Sequence, residues 1–107
     1  MIRTMSTVTT PSPAPIPGYG LAPPTAHDAL AFLARAVGPD HAADEWLRAC
    51  RRAGTPSADL SVDEMMRVSE RLAEQAGVVG IIGTSLMVRV RTYRLLAGSA
   101  ARAEAGR

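Results

Sequence analysis

The sequence has no lysine and no asparagine, and among its 107 residues only one cysteine, one tryptophan and one phenylalanine. Each shortage closes a door. A lone cysteine, Cys50, allows neither an internal disulfide nor a thiolate metal cluster. Two histidines, His27 and His41, are too few for an ordinary zinc site, which takes three or four protein ligands. His41 and Glu45 stand one helical turn apart, but as a pair they read as a solvated first turn. Without lysine, the glycines at 77, 80 and 83 before Thr84-Ser85 cannot complete a phosphate-binding G-x-x-x-x-G-K-[ST] loop. Long apolar runs are missing too. The longest, Val78 to Val88, spans eleven residues, about half of the roughly 20 needed to cross a bilayer. The first ten residues, MIRTMSTVTT, contain no signal-peptide core. A cytoplasmic location without a membrane span is therefore expected.

What is plentiful is alanine and arginine. Nineteen alanines accompany twelve basic residues, every one of them arginine. This pattern fits a GC-rich bacterial genome, so arginine content alone is not evidence of phosphate recognition. Its distribution says more. Residues 26–77 carry six arginines against nine acids, whereas residues 78–107 carry five arginines against Glu104 alone.

Prolines cluster at one end. Six of the eight lie between Pro11 and Pro24, and proline both fixes φ and lacks an amide donor. Residues 1–25 are thus expected to form a disordered proline-rich tail acting as a spacer. About 75 residues then remain for a core, a size at which a lone domain is marginally stable and association is a natural remedy.

The rest reads as an all-α domain over residues 26–98, with helices near 26–37, 39–53, 61–76 and 78–97, followed by a flexible tail at 99–107. Helix one starts after Thr25 with Asp28 in its first turn, and Gly38-Pro39 ends it. In helix two, Ala43, Trp46, Leu47 and Cys50 make an inward stripe, with acids early and arginines late as the helix dipole favours. Helix three opens on Ser61 and Glu64, a capping box, with Leu60 and Met65 as its hydrophobic staple. Its inward face is Val62, Met65, Met66, Ser69, Leu72, Ala73 and Ala76, and Gly77 closes it.

The fourth segment is the informative one. As a helix it places Val79, Ile82, Leu86, Val90, Tyr93 and Ala97 on a core stripe, and Ile81, Val88 and Leu95 on a second stripe almost opposite. Gly80, Gly83, Thr84 and Met87 form a low flank between them that another helix can approach closely. Read instead as a hairpin, residues 78–96 would be the wing of a winged-helix DNA-binding regulator, with Arg67, Arg71, Arg89 and Arg91 as nucleic-acid contacts. The recognition helix would then be residues 61–77, whose four acids outweigh two arginines, a poor match to phosphate. The helical reading is preferred.

No catalytic constellation, cofactor site or metal site emerges. Cys50 lies on an apolar stripe with no histidine within a turn, Ser69 is placed to bond a helix carbonyl, and Trp46 belongs to the core with its indole N–H at the edge. The chain is expected not to be an enzyme. It reads as a protein-interaction module (an adaptor, scaffold or regulatory subunit) that self-associates or docks on a larger partner. The expected interface is Ile81, Val88 and Leu95 with Arg89, Arg91 and Arg94. A competing role for those arginines is to pair with Glu70 and Glu74 inside the domain.

Overall fold

Thr25 and Ser61 open their helices in the same way. Thr25 Oγ1 accepts from the Asp28 amide at 3.1 Å while the Asp28 carboxylate accepts from the Thr25 amide at 3.0 Å. Ser61 Oγ accepts from the Glu64 amide at 3.1 Å, and Glu64 accepts in return from the Ser61 amide at 2.8 Å. Each box satisfies two amides that a helix start would otherwise leave unpaired. A computed structural model describes residues 22–105. Its helices are α1 (Ala26–Val37), α2 (Pro39–Ala53), α3 (Val62–Ala73) and α4 (Val78–Ala105). Gly38 separates α1 from α2 and places Pro39 at the start of α2, where its missing amide costs nothing. Gly54 ends α2 in the left-handed region, φ 71°.

Most of the expected tail, residues 1–21, lies outside the described residues. Its last part, Pro23 and Pro24, is buried against the helices. α4 continues to Ala105, beyond the expected end at 97, so residues 99–105 are helical where a tail was expected. Residues 78–96 therefore form no wing. The winged-helix reading, with Arg89 and Arg91 on a hairpin, does not hold, because a helical period maintained over five turns outcompetes the short alternation around Val88 to Thr92.

The core is one cluster: Ala29 and Leu33 from α1, Ala42, Trp46, Ala49 and Cys50 from α2, Met65, Met66, Val68 and Leu72 from α3, and Val79, Leu86 and Val90 from α4. Leu60 packs against it ahead of the capped start of α3. Two details differ from the sequence reading. α2 turns Ala42 and Ala49 inward rather than Ala43 and Leu47, and Leu47 stays 42% exposed. Trp46 anchors the helix either way, and small residues beside it let α1 and α3 come close. α3 stops at Ala73 rather than 76, and Ala76 is exposed. The chain then turns through Gly77, φ 76°, into α4.

That turn is tight because α4 begins on top of the end of α3. A Cβ on Gly83 would stand 2.3 Å from the Ala73 amide nitrogen, and one on Gly80 would stand 2.0 Å from the Gln75 carbonyl oxygen. The glycine flank of α4 is thus the surface on which α3 lies, and α3–α4 is the most extensive helix pair. α1 meets α4 least.

Candidate interaction surface

α4 buries one face and presents another. Leu86 and Val90 are buried in the core, whereas Ile81, Val88 and Leu95 are 69%, 54% and 72% exposed. Successive members of that stripe are seven residues apart, close to two helical turns, so they line up along the helix. Val78 is exposed as well. Between them stand hydroxyl residues. Thr84 donates to the Gly80 carbonyl at 3.0 Å and Thr92 to the Val88 carbonyl at 2.8 Å. These hydroxyls are satisfied within α4 and need no hydrogen bond from an arriving partner.

The three expected interface arginines take different environments. Arg94 forms an ion pair with Asp63 at the start of α3. Arg89 stacks over the Phe32 ring with its guanidinium carbon 4.8 Å from the centroid, and Arg35 of α1 lies over the same ring at 5.7 Å. Arg91 is exposed and makes no ion pair among the described residues. None of the three pairs with Glu70 or Glu74. Glu74 pairs with Arg52 at 3.2 Å, which ties α2 to the end of α3, and with Arg71 of α3 itself at 2.9 Å. The intradomain pairing exists for Arg94 alone, and through a different acid. Of the four arginines considered for nucleic acid, Arg71 is held by Glu74, Arg89 by Phe32, and Arg67 and Arg91 are exposed on α3 and α4.

Phe32, not among the expected interface residues, lines an open cleft of about 370 Å³ between α1 and α4. Val78, Ile81 and Ile82 line that cleft with it, and Arg35 and Arg89 rim it. A second cleft of about 240 Å³ shares Arg89 and continues past Val88 and Thr92 toward Asp28 and Pro24. The only signal for this groove in the sequence was one phenylalanine three residues before an arginine.

No known protein family matches the chain, and no curated protein or solved structure is significantly similar to it. The surface is therefore judged on its chemistry alone.

The groups with possible chemistry are quiet. Cys50 is buried, and desolvation pushes its thiol above the ordinary range, against a smaller opposing effect of a hydrogen bond with the Thr55 side chain. A raised thiol pKa is the opposite of what a nucleophile needs. Ser69 donates to the Met65 carbonyl at 2.6 Å inside α3, and Trp46 Nε1 donates to the Ser57 carbonyl at 2.9 Å. His27 and His41 are exposed, and among the described residues no three of His, Cys, Asp and Glu gather as metal ligands. No helix among the described residues is long and apolar enough to cross a membrane.

Proposed function

We propose that this chain is a non-enzymatic protein-interaction module, an adaptor, scaffold or regulatory subunit that uses the outward face of α4 to self-associate or to dock on a larger protein. One observation carries this reading. Ile81, Val88 and Leu95 are aligned and each more than half exposed, while the opposite face of the same helix fills the core. Fully burying an aliphatic side chain of this size is worth about 1.5–3 kcal/mol. Three partly exposed ones therefore offer several kcal/mol to whatever covers them. A line of exposed apolar side chains with a polar rim is a common anatomy of a docking site.

The test places a photo-crosslinking residue at Ile81 in the cell that makes the protein, with the same probe at exposed His41 on α2 as the control. Protein adducts should form from position 81, to a second copy or to another chain, and should disappear when Val88→Glu is added. Recovery from position 81 no greater than from position 41 refutes the docking role.

A further inference from the structure

We infer that the occupant of the α1–α4 groove is an acidic amphipathic helix of a different protein, not a second copy of this chain. The inference rests on the reading of α4 as a docking face and adds the chemistry of what docks there. The groove supplies two matched features. Its apolar lining runs from Val78 and Ile81 past Phe32 to Val88, and exposed Leu95 extends that line farther along α4. The 15 residues from Ile81 to Leu95 span about 21 Å, the length of a four-turn helix. A helix laid in such a groove presents apolar side chains at three-, four- and seven-residue spacing.

The second feature is charge. Arg35 and Arg89 are both held against the Phe32 ring, and neither pairs with a carboxylate among the described residues. A guanidinium held over a ring without a carboxylate partner keeps N–H groups for a bidentate carboxylate. Arg91 adds a third cation beside the stripe. Among the described residues, the acid that lines the groove is Asp28, which already accepts the Thr25 amide in the cap of α1. These cations call for acids from outside.

The same charges disfavour a second copy. Between residues 78 and 103, α4 contains no Asp or Glu. Bringing Val88 against Val88 of another copy sets Arg89 of one chain within a turn of Arg91 of the other when the helices are parallel, and of the other Arg89 when they are antiparallel, without an acid from α4. Like charges so placed repel.

The experiment displays a library of 18-residue helices with leucine fixed along one seam and Glu, Lys, Gln or Ala free at the flanking positions, and selects it on the full-length protein. Glu should be enriched beside the seam. Binding of the selected peptides should fall roughly tenfold in Arg35→Glu/Arg89→Glu, weaken with added salt, and be restored when peptide Glu is replaced by Lys. Enrichment of Lys or of neutral residues overturns the inference, as does the absence of any selected binder. If binders are absent but light scattering shows a dimer that Val88→Glu dissociates, the occupant is a second copy and the docking role stands. Competition by a peptide of residues 1–21, without enrichment of Glu, identifies the chain's own tail as the occupant. No binder, no dimer and no adduct from position 81 removes both readings together.

Discussion

Gly83→Ala tests the placement of α4 on α3 most sharply, because two opposing effects can be sized in advance. Replacing glycine by alanine inside a helix normally stabilises it by about 1 kcal/mol. Here the new Cβ would meet the Ala73 nitrogen at 2.3 Å, the Leu72 carbonyl carbon at 2.6 Å and the Ala73 Cα at 2.8 Å. All three are backbone atoms, so no side-chain rotation relieves the contact. The helices must separate by about 1 Å, loosening Leu72 and Leu86 in the core. Overpacking of this kind costs about 1–3 kcal/mol and sometimes more, and contact with rigid backbone puts it at the upper end. The net expectation is a loss of about 2 kcal/mol, which lowers Tm by roughly 10 °C in a domain of this size. Gly98→Ala is the control on the same helix. Its Cβ would meet only the flexible end of Arg102, at 3.5 Å, so the helical gain of about 0.5–1 kcal/mol should appear. Thermal and urea unfolding followed by circular dichroism reads both. A Gly83→Ala protein as stable as wild type would refute the close α3–α4 contact.

Other expectations follow from single contacts. Ser61→Ala removes the acceptor for the Glu64 amide and should cost about 1 kcal/mol in the same urea titration. Trp46→Phe leaves the Ser57 carbonyl without its indole donor and should lose about 1 kcal/mol for the hydrogen bond, beyond the cost of the smaller ring. Val88→Glu lies on an exposed face and should change unfolding free energy by no more than about 0.5 kcal/mol; a large loss would mean that Val88 belongs to the core. The Cys50 thiol is raised by burial, so the unfolded chain ionises first and stability should decline as pH rises through the ordinary thiol range toward the folded value. Urea midpoints measured from pH 7 to 10 should show that decline for wild type, and a smaller one for Cys50→Ala.

Features that depend on neighbours in sequence were legible. The capping box at Ser61 and the Gly38-Pro39 break are local chemistry, and each stands where its residues put it. The core stripe of α4 was legible because a 3.6-residue period sustained over several turns has one solution. Features set by tertiary geometry were not. Trp46 fixes the inward direction of α2, but whether Leu47 or Ala49 joins it depends on how closely α1 and α3 approach, and close approach favours alanine. Arg94 could not be assigned to Asp63 over Glu70 or Glu74 because all lie on α3 or at its end, and only the register of α4 against α3 selects among them. The groove was hidden for a related reason. Phe32 and Arg89 are far apart in sequence, and nothing in either segment announces the other.

The two faces of α4 also carry different periods, and that difference has a geometric consequence for docking. The buried stripe advances by steps of three and four that average close to the helical repeat, so it runs nearly straight down the helix. The exposed stripe repeats every seven residues, and such a stripe drifts by about 20° per heptad around a straight helix. From Ile81 to Leu95 it therefore winds through about 40°. A straight partner helix cannot stay on a winding stripe if it lies parallel to α4. It keeps contact by crossing at a shallow angle, near the +20° at which three-residue ridges fit four-residue grooves. That crossing carries one end of the partner toward Phe32, Arg35 and Arg89, and the other end, past Leu95, toward the side of α4 that bears Arg91.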